Sequence, residues 1–454
     1  MHVRAPFARS ALAAASLTLA STSTALANGN AETYGHDVRS QGKANAVVAD
    51  DSGPAAAFVN PAALARLQGP ALHAGFQLSV PSVDVDLDVD KAPTDPLAPA
   101  LPPPVAGFQV GFGMPLNLVV DDVFFIGLTA YVPAGALVRA RAFDPARPVF
   151  HLYDSTTEHY ELFAGLGVRI TPWLHLGGGA RLGALQGGAT RLDLDPIRGR
   201  FTRQEIDTLQ ASVASPIAGI LVGPLGVDEV QARVAFVYRE ASSFDVTLPA
   251  TLNISGLDIG LLLDIVTLSN YSPRTFTGGV TVDVLRAWHV SVDAQFAQWS
   301  LAPSPFLRVT NDISGEGLER LGLGDALDAP AEGQDRIVDP GFTDTLNVRV
   351  GVEGEVVDGL VVVRGGYAWR PTPVPDQTSG TNLVDNNAHI LALGAGANLN
   401  LPAVADRPFQ VNVAYQAQVL QPRTTTKAAA GDPVGGWTSS GVVSNIGVDL
   451  RYFW

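Results

Sequence analysis

The chain has no cysteine in its 454 residues. That excludes disulfide cross-links and thiolate-held metals, and it is no argument against export. Charge is scarce, at 16% Asp, Glu, Lys and Arg, and the balance is acidic at −15. An acidic chain lacks the cations that neutralise phosphates, so nucleic acid is not expected as a partner. Beyond the N-terminus no run is apolar enough to cross a bilayer as a helix. A membrane form of this protein must therefore cross with the strands of a closed barrel. Signatures of common catalysis are also missing, since no H-E-x-x-H, G-x-S-x-G or P-loop pattern occurs. Gly165-x-Gly167, Gly177-Gly178-Gly179 and Gly394-x-Gly396 lie within strand-like runs with no helix after them, unlike phosphate-binding loops. Asp84-Val85-Asp86-Leu87-Asp88-Val89-Asp90 lacks the sixth-position Gly and distal Glu of a calcium loop and reads as the acidic face of a strand near an outer rim. His159 and His289 fall singly on polar strand faces. The chain is not expected to be an enzyme, and no cofactor or metal site is expected.

What is present begins with an export signal. Arg4 and Arg9 precede a short apolar stretch, Leu12 to Ala20, and Ala25-Leu26-Ala27 forms an A-x-A cleavage site. Residues 1–27 are read as a cleaved signal peptide and 28–69 as a small polar, Ala-rich plug segment without strand period. Within the plug, Asn60-Pro61-Ala62 marks a turn, because Pro61 fixes its own φ and keeps Asn60 out of the helical region. Pro61 can then open a short helix over Ala62 to Leu67.

From residue 70 to 454 the chain alternates with period two. Leu346, Val348, Val350 and Val352 face one way, and Thr345, Asn347, Arg349 and Glu353 the other. Asp358-Gly359 then supplies a two-residue hairpin turn. The pattern recurs over Tyr160–Ile170, Trp288–Phe296, Phe409–Tyr415 and Ile446–Trp454. The runs reach ten residues or more, as tilted bilayer-crossing strands require. Tyr160, Trp173, Trp288, Trp369, Tyr452 and Trp454 sit near run ends, as interfacial girdles do. Short connections (Thr171-Pro172, Leu285-Arg286-Ala287, Asp358-Gly359) interleave with long ones (Val83–Pro104, Leu192–Ala211, Asp312–Gly341, Thr424–Ser440). The expectation is an all-β fold, a transmembrane antiparallel β-barrel of about fourteen strands with a small N-terminal plug. It would be integral to the outer membrane of a double-membraned bacterium, among outer-membrane lipid and lipopolysaccharide.

Several residues are singled out. Leu248–Leu268 reads as an unusually apolar outer loop, and Leu257, Ile259, Leu261, Leu262 and Leu263 are its candidate groove for a hydrophobic ligand. Arg233, Arg239 and Arg349 face the lumen by parity. Each can receive a carboxylate, or neutralise Glu161, Asp293 or Glu353 across the barrel.

The ordered set Gly42-Lys43-Ala44-Asn45-Ala46, Asp50-Asp51, Phe58-Val59-Asn60-Pro61-Ala62-Ala63-Leu64-Ala65, Val237-Tyr238-Arg239-Glu240, Gln298-Trp299-Ser300, Gly366-Tyr367-Ala368-Trp369 and Pro373-Val374-Pro375-Asp376 resembles the FadL family of outer-membrane transporters, which includes TodX-type aromatic-hydrocarbon channels. Gly447 to Trp454 looks like a signal for the barrel-assembly machinery, ending in Trp rather than the usual Phe. The resemblance implies a monomeric barrel blocked by an N-terminal hatch, with passive uptake of long-chain fatty acids or other hydrophobic compounds. Asn60, Pro61 and Ala62 would belong to the gating hatch. Ligand would leave sideways through a gap at a kinked third strand, Val123 to Arg139, where Pro133 cannot donate a ladder hydrogen bond and Gly135 tolerates unusual dihedrals. A strand that simply ends at Pro133 fits the same residues. The alternatives are an aromatic-hydrocarbon channel of the same family and a general porin or structural barrel.

Overall fold

The period-two runs form strands, and the strands close on themselves. The computed structural model describes residues 30–454 apart from 52, 89–98, 100, 117–120, 136–146, 151, 154–159, 196–199, 255–258, 286, 306–307, 315, 317–338, 379–380, 401–406 and 428–433. In chain order the strands are β1 (Ala71–Leu87), β2 (Val105–Leu116), β3 (Phe124–Pro133), β4 (Val149–Phe150), β5 (Glu161–Thr171), β6 (Leu174–Asp195) and β7 (Arg200–Val227). Next come β8 (Val230–Arg239), β9 (Ser242–Ile254), β10 (Ile259–Ser272), β11 (Arg274–Val284), β12 (Trp288–Gln298) and β13 (Arg308–Ser314). The last six are β14 (Thr345–Val357), β15 (Val361–Arg370), β16 (Leu383–Val384), β17 (Ala388–Leu399), β18 (Phe409–Thr426) and β19 (Gly436–Phe453).

Fourteen of these pair antiparallel with their neighbours around a ring. The ring closes where β1 meets β19, in register from Ala71 opposite Phe453 to Leu87 opposite Trp437. Closure leaves no free sheet edge, the condition for a sheet to lie in hydrocarbon. The described residues contain no helix long and apolar enough to cross a membrane.

The alternation assigns the two faces as the sequence suggests. Leu346, Val348, Val350 and Val352 are exposed on the outside of β14, while Thr345, Gly351 and Glu353 are buried inside. Phe76, Phe108, Phe112, Leu128, Leu166, Val234, Phe236, Val292 and Val448 continue this outer belt. In water a belt of this size would be an aggregation surface, whereas in lipid it is the solvated face. Trp173, Trp288 and Trp454 stand exposed at the end that carries the short turns, which is the periplasmic end of such barrels.

Outside the ring, β9, β10 and β13 pair with one another, and β9 runs parallel to the outer half of β6. This corrects three expectations. The apolar stretch 248–268 is largely a β-hairpin rather than a loop. The connection expected over 192–211 is mostly strand, because β6 and β7 extend far beyond the bilayer, and β18 and β19 shorten the one expected over 424–440. The cause is the same in each case: backbone that leaves the membrane still needs hydrogen-bond partners, and a continued ladder supplies them.

The lumen is filled. Four short helices, α1 (Asn30–Tyr34), α2 (Val38–Gly42), α3 (Ala56–Val59) and a 3-10 helix at Pro61–Arg66, pack inside the ring. Val47, Val48, Phe58, Leu64 and Leu67 of this plug form a core with Phe125, Phe163, Ile217, Leu221 and Val237 of the wall. A second core lies toward the outer end, where Tyr34, Phe150, Tyr153, Tyr271, Trp299, Phe342, Leu383 and Trp437 meet. There β4 and β16 pair parallel, away from the barrel wall.

Candidate functional site

Asn60 organises the deep part of the plug. Its backbone is extended at φ −158° and its side chain caps the 3-10 helix, accepting from the Ala62 amide at 3.1 Å. Its amide nitrogen donates to the Val48 carbonyl at 3.1 Å, tying two plug segments together. Pro61 occupies the first helical position, where its missing N–H costs nothing. This turn lies directly against the wall. A Cβ at Gly177 would collide with the Pro61–Ala62 backbone, and one at Gly219 with the Asn60 side chain. Gly366 stands in the same relation to the backbone of Lys43 and Ala44. The glycine-rich strand runs are thus landing points for the plug.

Charge holds the other side. Asp50 receives Arg39 at 2.6 Å, Lys43 at 2.5 Å and Arg233 of β8 at 3.0 Å, all in the interior. Arg39 also reaches Glu353 of β14 at 2.8 Å, and Arg451 of β19 reaches Asp37 at 2.7 Å. The surrounding cations hold the Asp50 carboxyl well below the usual carboxylate range. Asp50, Asp283 and His289 bring their ligand atoms within 4.8 Å of one another. Arg233 already ion-pairs with both carboxylates, so this group reads as a salt-bridge cluster.

Two adjoining cavities remain above the plug. The outer one, with a cavity volume of about 80 Å³, lies between Trp299, Ala297, Leu152, Ile390 and Pro373, with Thr275, Asn347 and Arg349 among its polar groups. The inner one, about 40 Å³, lies against Val47, Val48, Phe58 and Val59 of the plug, with Arg239 and Arg349 on its wall. Glu32, Asn45, Gln295 and Arg349 line both.

The three parity-selected arginines separate here. Arg233 is committed to Asp283 and Asp50. Arg239 stacks on Phe58, its Cζ 4.3 Å from the ring centre, and donates to the Phe58 carbonyl at 2.6 Å. Arg349 donates to Gln295 Oε1 at 2.7 Å. Neither Arg239 nor Arg349 has a salt-bridge partner among the described residues. Glu161 pairs with Arg181 and Glu353 with Arg39 and Arg364, while Asp293 accepts from the Val48 amide.

Of the groove candidates, only Leu262 has a described side chain, and it is not among the residues lining these cavities. Leu257 lies outside the described residues. Ile259, Leu261 and Leu263 sit on β10 with side chains outside the described set, and Leu262 is exposed. Pro133 ends β3, and Gly135 lies in the bend that follows. β2 pairs with β3 as far as Pro133, but β5 pairs with it only as far as Tyr131. Sequence reasoning missed the Asp50 cluster. Its only signal was the pairing of acidic Asp50-Asp51 with basic Arg39 and Lys43 in one short segment.

A closed fourteen-stranded barrel with a lipid-facing belt and a plug seated in its lumen defines an outer-membrane β-barrel protein. The family described as outer membrane protein transport protein (OMPP1/FadL/TodX) matches residues 16–452, and the chain belongs to it. Alkane uptake protein A of Marinobacter nauticus is 25% identical over 197 residues, 43% of this chain and 39% of that protein, so the match spans well under half of that relative. A Pseudomonas aeruginosa FadL homologue superposes with a TM-score of 0.59 at 15% identity, over 92% of this chain and 98% of that one. The P. putida toluene transporter TodX gives 0.57 at 12% identity, over 93% and 99%. At these identities the two structures are like this one in fold.

Proposed function

We propose that this protein carries hydrophobic compounds with a long alkyl chain, alkanes or fatty acids, across the outer leaflet of the outer membrane without an energy source. The observation that carries this reading is the outer cavity between the outer core and the plug, whose walls are mostly apolar, continuing into a smaller and more polar one, with Arg349 on both. An alkyl chain gains about 0.8 kcal/mol per methylene on leaving water. A water-filled pore offers no such gain, and a plugged lumen with an apolar pocket does. Arg349 is the group that receives a carboxylate, with Arg239 behind it. The hatch residues Asn60, Pro61 and Ala62 move when the lumen opens, and ligand leaves sideways where β3 loses its β5 partner before Pro133. The similarity to an alkane uptake protein supports neutral chains as substrates alongside acids.

The test is uptake by intact cells that lack other transporters of this kind, with radiolabelled hexadecane, oleate and toluene. Saturable uptake of the first two is expected. In Arg349→Gln, oleate uptake should fall about tenfold at low concentration while hexadecane uptake holds, since a hydrogen bond to a charged group contributes about 1.5–3 kcal/mol. Toluene as the preferred solute would move the protein to the aromatic channels. Leakage of small hydrophilic solutes without saturable uptake would make it a porin.

A further inference from the structure

We infer that the periplasmic mouth carries a separate binding site for an oxyanion, either the head group of an amphiphile or a free ion. A cavity of about 670 Å³ opens where the plug joins the barrel, lined by Arg66, Leu67, Arg169, His175, Arg407 and Phe453 among others. The chain carries a net charge of −15, yet among the described residues lining this cavity none is Asp or Glu. Its three arginines make no salt bridge among the described residues. Arg66 gives Nη1 to the Asp50 and Asp51 carbonyls at 3.1 and 3.0 Å. Arg169 donates Nε to the Ala65 carbonyl at 3.1 Å and stacks over Phe125. Backbone carbonyls position both guanidinium groups, and the Asp50 and Asp283 carboxylates act on Arg66 from beyond salt-bridge distance. Arg407 is exposed at the rim.

His175 is the second observation. It stands opposite Arg169 on the neighbouring strand, is only 5% exposed, and lines this cavity. One ring nitrogen faces the Pro172 carbonyl, and the other has no hydrogen-bond partner among the described residues. A buried donor left unmade is costly, and a ligand oxygen satisfies it. Burial and the neighbouring Arg233 push Arg66 down to about 10, the direction that a bound anion reverses. Three forked donors and one imidazole converge on one cavity, which suits carboxylate or phosphate oxygens. Leu67 and Phe453 add an apolar part to the same lining.

The experiment is calorimetric titration of the full-length protein in a non-ionic detergent. The probes are octyl phosphate, octanoate, inorganic phosphate and octanol. Arg407→Gln combined with His175→Gln is the test variant, because neither side chain hydrogen-bonds the plug. Gly278→Ala, where an added Cβ meets nothing within 4 Å, is the control. Saturable binding of an anionic probe, weakened about tenfold in the double variant and unchanged in Gly278→Ala, is expected. Octanol should show no such loss. If inorganic phosphate binds as tightly as octyl phosphate, the site takes the free ion. If only the octyl compounds bind, it takes an amphiphile. Equal affinity in the wild type and the double variant, or no saturable anion binding, overturns the assignment.

Discussion

Substituting Gly177 with alanine should unseat the plug while leaving the barrel closed. A Cβ there would lie only 2.1 Å from the Ala62 nitrogen and 2.2 Å from the Pro61 carbonyl carbon. Ordinary van der Waals contact begins near 3.4 Å, so the plug must retreat by about 1.3 Å. The obstacle is backbone, which has no rotamer in which to escape. Overpacking of this kind costs about 1–3 kcal/mol. That cost falls on the contact between plug and wall, because the ladder on either side of Gly177, to Gly167 and Gly219, needs no side chain. Hydrogen exchange of the amides from Ala56 to Leu67 should rise about tenfold or more, and single-channel conductance should show new open events. Gly278→Ala is the matched control, since nothing lies within 4 Å of a Cβ at that position. Unchanged exchange at Ala56 to Leu67 in Gly177→Ala, or an equal effect in Gly278→Ala, would refute the idea that the glycines are landing points.

Three further outcomes are expected. Asp50→Asn leaves Arg39, Lys43 and Arg233 facing one another in the interior, and loss of one partner from a buried ionic cluster costs about 3–5 kcal/mol. Proteolysis of the plug in detergent should accelerate, and Asp50→Glu should restore part of the protection. Asn60→Ala removes a helix cap and a tie to Val48, worth about 1–2 kcal/mol by cap statistics. The same exchange measurement should show a loss smaller than in Asp50→Asn. Asp51 gives a pH dependence. Burial and the neighbouring Asp37 raise its pKa from 3.8 to about 6, so the folded plug binds this proton more tightly than the unfolded one. The sign is destabilising as pH rises through that window, by up to about 3 kcal/mol at 1.36 kcal/mol per pH unit. Plug protection should therefore fall between about pH 4 and pH 6, and Asp51→Asn should flatten that slope. A slope of the same size in Asp51→Asn would assign it to another group.

Much of the architecture was legible before any coordinates. Period-two alternation depends only on the backbone pleat, so the lipid-facing residues of β14, and the inward parity of Arg233, Arg239 and Arg349, could be read directly. The Asn60-Pro61-Ala62 turn was readable because capping and proline geometry are local. Extent was harder to read. The apolar character of 248–268 suggested a ligand loop, but apolar residues also suit a hairpin, and pairing partners are not local information.

Tertiary closure decided the rest. Only the ring brings Arg233 of β8 to Asp283 of β11 and Asp50 of the plug, which removes it from the ligand-binding candidates and leaves Arg239 and Arg349 without ion pairs. Only the seated plug explains Gly177 and Gly366, which in sequence are merely small residues in strands. The sequence by itself determined which face of each strand meets lipid, because that follows from a period of two along one chain. Which lumen groups neutralise one another, and where space is left for a ligand, depended on contacts between residues hundreds of positions apart.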